Sequence, residues 1–490
     1  MRSSEIDPEQ VLTGHQDCGT NYLKNNIWTN VLPGDGYECL LDPKSEKVMF
    51  GTRSPDTPYE PNANLFRSTS NPNAPSFSSL PFPQTNDGAL QGAALIYNSF
   101  NPNSMFQGRE NLWKTIKSRS FNTSSDWIKL SDFSNLFQPS INVIKGLEIS
   151  SLDTNTIYTS CLESDAWNVN YDNCKLMVTN NGGGANPGDW TNITPLGDTK
   201  MINDIAVSSW DKNHVWICYN GYNRVHVKKT IDGGTTWTNF DDNLPDTPVN
   251  CIIYLNGSND AIFVGTDVGV YYRDNTMNQW IPFMTNLPNV IVNWLEINYE
   301  KGYLRAATYG RGLWETPLPC TKNTTPTYLT GNVTLIAPQR FANNIIIEPG
   351  VSLTIKSKVY MLPSTKIIVK PGGELILNGG TITSGCNQLW SGIEVWGNSL
   401  AGQGPMSNQG KIYILNGGVI ANAQIGILCS KRDCESCDIH EPGYAGGLIW
   451  CDSAYFVNNR IAVQFAPYNF FSHSYFRRTH FVTSDALLSS

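Results

Sequence analysis

The chain has 490 residues and carries a formal charge of −8, with a pI near 5.3. That balance excludes a nucleic-acid partner of the ordinary kind, which needs clustered Lys and Arg; no basic run exceeds Arg477-Arg478 or Lys228-Lys229. No apolar stretch approaches the ~18–20 residues needed to span a bilayer, and Met1 to Pro8 lacks the apolar centre of a signal peptide. The 41 Gly, 28 Pro, 21 Tyr and 14 Trp, with 16% charged residues, point to turns and aromatic strands rather than helices, so an all-β fold is expected.

The first recognisable segment runs from Gln16-Asp17-Cys18-Gly19-Thr20 to Trp28-Thr29-Asn30-Val31, followed by the loop Pro33-Gly34-Asp35-Gly36. Asp17 and Asp35 stand in Gly-flanked loops, and a glycosidase needs two facing carboxylates. They are the one pair to test, Asp17 as acid and Asp35 as base; turn-forming aspartates are the plainer reading. Units of similar pattern follow, from Tyr37-Glu38-Cys39 to about Phe77 and from Ala94-Leu95-Ile96-Tyr97 to Trp127. The next unit opens at Leu147 and ends at Trp190, with Cys161 and Cys174 at the ends of two strands joined by an Asn-rich loop. A cross-strand disulfide is expected there. The unit from Ile205 contains Thr230-Ile231-Asp232-Gly233-Gly234-Thr235-Thr236-Trp237. Asp232 can accept amide hydrogens of its own turn, Gly233 and Gly234 supply positive φ, and Trp237 can bury its ring between sheets. Thr230, Asp232, Gly234, Thr236 and Trp237 are thus read as structural. Thr179-Asn180-Asn181-Gly182-Gly183 is a degenerate copy, with Asn181 in the Asp place.

The clearest unit spans Asn250 to Leu287, and a shorter one runs from Val292-Asn293-Trp294 to Trp314. The recurring Trp residues fall roughly 45 to 60 residues apart, the size of a four-stranded propeller blade. Joining the opening segment to the short last unit gives six blades; a seventh, its beginning lost with a truncated amino terminus, is the alternative. We expect a propeller over residues 1–317, a linker over 318–331, and a different domain over 332–490. In that domain Ile345 to Ile355 aligns with Ile367 to Leu377 at an offset of 22, and Leu377-Asn378-Gly379-Gly380 recurs as Leu415-Asn416-Gly417-Gly418. Coils of about 22 residues with short apolar strands predict a right-handed parallel β-helix. The chain stops without a capping element, so its carboxy end is expected to be truncated. Cys429, Cys434, Cys437 and Cys451 are read as paired disulfides, with zinc as the alternative.

The Asp232 turn, Gly265-Thr266-Asp267-Val268-Gly269 and Ala307-Thr308-Tyr309-Gly310-Arg311-Gly312 resemble the BNR/Asp-box propellers of large secreted bacterial proteins, with related blades in sialidases, sortilin-type receptors and xyloglucan-cleaving hydrolases. The opening loops are similar to the "QDNG…GGDG" loops of those propellers, with Cys18 in place of Asn. The tail resembles pectin-lyase-like β-helices. The resemblance implies export and a place at the cell surface or outside it. The arginine cluster of a sialidase is absent, and so is the hydrolases' second acid motif; Arg311 is read as a hairpin residue. No phosphate-binding loop, HExxH helix or Ser-x-Gly elbow occurs, so no cofactor is expected. The reading is a monomeric, non-catalytic scaffold binding polysaccharide, a surface glycan or a surface protein, with Trp210, Trp294 and Tyr309 as sugar-stacking candidates. A propeller-type glycoside hydrolase is the alternative.

Overall fold

The computed structural model describes residues 1–53, 65–83, 94–98, 101–138, 140–164, 169–186, 188–432 and 440–489. Its contacts divide the chain into two compact units, residues 1–255 with 259–317, and residues 256–258 with 318–490. Both are built from strands, and among the described residues the helical content is three single turns of 3-10 helix.

The first unit is a series of seven antiparallel sheets, six with four strands and one with three among the described residues. We number them 1 to 7 in chain order. Sheet 1 runs from Arg2 to Leu32, sheet 2 from Gly36 to Ser79, sheet 3 from Leu95 to Lys129 and sheet 4 from Ile141 to Asn192. Sheets 5 and 6 run from Ile202 to Asn239 and from Val249 to Pro282; sheet 7 has the strands Val292–Asn298, Tyr303–Thr308 and Gly312–Pro317. In each, consecutive strands pair in order, a propeller-like meander. The first strands of sheets 4, 5, 6 and 7 touch one another in that order, and the last touches Arg2–Ser3, so the series closes on itself.

Closure does not occur as the six-blade reading expects. The opening strands pair among themselves, and the last three do the same, so no sheet is shared between the two ends. The reason lies in Arg2–Ser3 and Val11–His15, two strands ahead of the Gln16 loop that complete sheet 1 without help. Side chains join the ends instead. The Glu296 carboxylate accepts the Ser3 amide at 2.8 and 2.9 Å and the Ser3 hydroxyl at 2.7 Å. Arg305 donates to the Pro8 carbonyl at 2.5 Å, Lys301 pairs with Glu9 at 2.9 Å, and the Arg2 guanidinium lies 4.9 Å from the centre of the Trp294 ring.

Between neighbouring sheets one contact repeats. Nε1 of Trp190 donates to the Leu130 carbonyl at 2.8 Å, Trp237 to Ile193 at 3.0 Å, and Trp280 to Phe240 at 2.7 Å. Each acceptor is the residue just past the outer strand of the preceding sheet. The same residue's amide closes that strand's ladder, to Leu112, Leu176 and Val227 respectively. The tryptophan thus fills the gap between two sheets with apolar surface and spends its polar atom on a backbone carbonyl at the end of a ladder, which at Phe240 also accepts Arg273 at 3.4 Å. Phe240 and Trp280 also meet edge to face, their centroids 5.7 Å apart.

In the second unit three parallel sheets of six strands share the chain, each winding giving one strand to each sheet. The 22-residue offset is the register, since Ile345 pairs with Ile367 and Leu353 with Leu375. The Leu-Asn-Gly-Gly repeat is displaced by one. Leu377 pairs with Ile414, not Leu415, and both are fully buried, because a slip of one residue would turn every inward side chain outward. The expected linker is shorter than 318–331, since Thr327–Leu329 already pairs with Ile345–Ile347.

Cysteine pairing departs from expectation. Cys161 and Cys174 are both free, since the ladder sets Cys161 opposite Lys175 and Cys174 opposite Leu162. Their side chains leave opposite faces of sheet 4, Cys161 into the core shared with sheet 3 and Cys174 into that shared with sheet 5. Among the described residues the disulfide is Cys320–Cys386, 66 residues apart in sequence across the first windings, with Arg340 3.4 Å from each sulfur.

Two stability changes follow from this packing. Trp280→Phe keeps most of the buried ring but removes the shorter of the two bonds to the Phe240 carbonyl, leaving the one from Arg273 at 3.4 Å, and should cost roughly 0.5–1.5 kcal/mol in a denaturant melt. Replacing Cys320 and Cys386 together by Ser should lower the stability of the second unit by about 2–4 kcal/mol, seen as a transition under oxidising conditions that matches the reduced parent protein.

Candidate functional site

The Asp232 turn shows what its residues do. The Thr230 hydroxyl donates to Asp232 Oδ1 at 2.7 Å while accepting the amides of Asp232 and Gly234. Asp232 then accepts the Thr236 amide at 2.9 Å and the Thr236 hydroxyl at 2.6 Å. The Thr236 hydroxyl foremost, then its amide and Thr230, hold the Asp232 carboxyl down to about 2. Gly234 has φ near 95°, and a Cβ there would stand 2.6 Å from Ile193. In the copy, Asn181 accepts the Thr179 hydroxyl at 2.6 Å and the Gly183 amide at 3.1 Å, and its Nδ2 turns to Asp189. A carboxamide serves where only acceptors on one side are needed.

Asp17 and Asp35 come together through the backbone. Asp35 Oδ1 accepts the Asp17 amide at 2.7 Å, and Asp17 sits at φ 60° at the tip of an exposed turn. The Asp35 carboxylate is therefore occupied in fixing the turn. Asn30 and Asn21 hold the same turn through the Cys18 carbonyl, at 2.7 and 3.1 Å.

The turn lies on the face where the first strand of each sheet begins. There the ladder skips one residue in four successive sheets, leaving Lys145, Asn203, Asn250 and Asn293 as bulges. Asn203 Nδ2 reaches the Val249 carbonyl at 2.7 Å, and Asn250 Nδ2 reaches Asp267 at 2.9 Å and the Val292 carbonyl at 3.3 Å. The Tyr222 hydroxyl completes a chain to Asp267 across three sheets. None of Asn203, Asn250 or Tyr222 was singled out from sequence; the signal for the first two is an Asn at the second position of the first strand, shared by sheets 5, 6 and 7. Of the stacking candidates, Tyr309 is 72% exposed, whereas Trp294 lies under Arg2 and Trp210 is half-buried. Arg311 is exposed, and its carbonyl accepts Trp314 Nε1 at 3.0 Å, as a hairpin residue would.

Deeper, among the first strands, acids face one another. Burial, then the nearby Asp204 charge, pushes Glu148 up to about 8, with Arg2 opposing. Burial raises Asp204 to about 6, against the amides of Ile252 and Ile205, which its carboxylate accepts at 3.1 and 2.9 Å. A carboxyl pair with separated titration is a candidate for acid–base chemistry. Asp204 nevertheless has a structural task, tying sheet 5 to sheet 6.

Cys429 and Cys451 are free and buried in the winding interior, where burial raises both thiols. Cys434 and Cys437 lie outside the described residues. Among the described residues no group of three or more His, Cys, Asp or Glu side chains could hold a metal ion, and no helix is long and apolar enough to cross a membrane.

No family model matches the chain, and no curated protein matches it. Among solved structures it is similar to a GH74 enzyme of Niastella koreensis, with 13% identity and TM-score 0.41 over 66% of this chain and 54% of that one. It is also similar to an ancestral GH74 enzyme, with 13% identity and TM-score 0.43 over 63% of this chain and 46% of that one. A third likeness is to YCF48 from Cyanidioschyzon merolae, with 10% identity and TM-score 0.44 over 64% of this chain and 94% of that one. The chain thus spans about half the length of the two GH74 structures. The fold described above rests on strand pairing and not on these likenesses.

The buried acids predict a pH effect. Glu148 and Asp204 have folded values above their ordinary ones, so the stability they contribute is fully present below pH ~4 and is lost as pH rises through about 6 and 8. Thermal melts should therefore show a higher midpoint at pH 5 than at pH 8. Glu148→Gln should flatten that difference.

Proposed function

We propose that the chain is an exported, non-catalytic scaffold in which an Asp-box propeller and a right-handed parallel β-helix present surfaces for polysaccharide or cell-surface glycan. In this reading each of the seven antiparallel sheets is one blade. The observation that carries the absence of catalysis is the bond from the Asp17 amide to Asp35 Oδ1, which commits the candidate base to a turn. Binding is supported by Tyr222 and Tyr309, aromatic rings 55% and 72% exposed, on the face where bulged Asn residues gather. Flat rings beside carboxamides suit sugar, which offers C–H faces and hydroxyl edges. Export is supported by the Cys320–Cys386 disulfide, a bond that persists in oxidising compartments.

One observation favours the hydrolase reading, the pair of Glu148 near 8 and Asp204 near 6. A single assay separates the two. Reducing-sugar release from soluble β-glucans and sialosides should stay at background for the parent protein. Asp17→Ala and Asp35→Ala should leave its glycan affinity within about twofold. Hydrolysis abolished by Glu148→Gln or by either Asp substitution, in a folded protein, would reverse the reading.

A further inference from the structure

A groove of about 610 Å³ opens between sheets 4 and 5 beside the Asp232 hairpin. Its size is within the ~300–1,000 Å³ of small-molecule sites. Thr191 and Asn192 form one wall, Thr235 and Asn239 the other, and Trp237 lies between them.

The gap between sheets 5 and 6 explains why this one is open. There Trp280 is 1% exposed, because Asn243 grips its backbone in both directions, at 2.8 and 2.9 Å, and folds the intervening loop over it. The loop after Thr191–Asn192 takes another course, through Pro195 to Leu196, whose side chain is fully exposed. Trp237 is consequently only half-buried. Its indole is already fixed by the bond to Ile193, so a ligand meets a ring whose orientation is set beforehand.

The chemistry of the walls selects the ligand. The one cation lining the groove among the described residues, Lys228, is neutralised by Asp198 at 2.9 Å, and Lys200 beyond it pairs with Asp172 at 2.6 Å. The walls offer hydroxyls and carboxamides, and the side chains of Thr191 and Asn239 make no hydrogen bond among the described residues. An uncharged, hydroxyl-rich chain that can lie along an indole fits these walls, and a carboxylated one gains nothing from them.

We propose that the Thr191–Asn239 groove, floored by Trp237, binds neutral oligosaccharide. This rests on the scaffold reading and gives it a place distinct from the face carrying Tyr222 and Tyr309.

Titration calorimetry on the full chain with cellohexaose, mannohexaose and xylohexaose, and with trigalacturonate as the charged control, tests it. Trp237 is needed between the sheets, so the groove is blocked from its rim by Thr191→Arg and Asn239→Arg, both at exposed positions. The expected result is affinity for at least one neutral hexamer, at least tenfold weaker in either Arg variant, with melting midpoints unchanged. Preference for trigalacturonate overturns the neutral assignment. Affinity untouched by the Arg variants but lost in Tyr222→Ala with Tyr309→Ala overturns the groove and leaves the scaffold reading standing. No affinity for any of these or for insoluble cell-wall polysaccharide overturns both.

Discussion

Each sheet of the first unit is too thin to bury its own faces, and at three successive junctions, from sheet 3 to sheet 6, an indole bond between neighbours helps to join them into a core. Trp190, Trp237 and Trp280 each place a large ring in the gap and hand their single donor to the carbonyl just past the preceding sheet's outer strand. That carbonyl belongs to the residue whose amide makes the last ladder bond, where the regular pairing of backbone polar groups ends. One residue type therefore answers two needs, apolar filling and polar satisfaction.

The hairpin before each of these tryptophans depends on side-chain acceptors. At Thr230–Trp237 the Asp232 carboxylate accepts from both the hydroxyl and the amide of Thr236, which sets the direction in which Trp237 leaves the turn. Asn181 performs the accepting part of this and recruits Asp189 for the rest. Asp35 does similar work for the turn at Asp17. Acidic residues in such loops look like chemistry in a sequence, and here each has a backbone amide as its partner.

Charge enters differently between the ends of the unit and among its first strands. Between its ends, Glu296 clasps Ser3 and Arg2 covers Trp294, polar contacts standing where a shared sheet was expected. Among the first strands, Asp204 joins two sheets through backbone amides while raising the neighbouring Glu148. Burial of Glu148 and Asp204 raises both carboxyls, which makes this unit's stability sensitive to pH.

What the sequence determined by itself was local. Turn signals, strand alternation and the 22-residue repeat depend on residues within one hairpin or one winding, so the propeller-like antiparallel sheets and the parallel sheets were legible. Only the tertiary structure decided what depends on residues far apart. Cys161 and Cys174 looked paired because they end facing strands, but the alternation of side chains sends them to opposite faces. Cys320 finds Cys386 because three windings of the coil stack them, a nearness that no local pattern encodes. Leu377 meets Ile414 and not the identical motif's Leu415, since burial of every second side chain outweighs likeness of sequence. The openness of the groove at Trp237 was likewise hidden. It depends on whether a loop from the preceding sheet closes over the ring, as happens at Trp280 through Asn243, and that is a property of two sheets in contact rather than of either sequence segment.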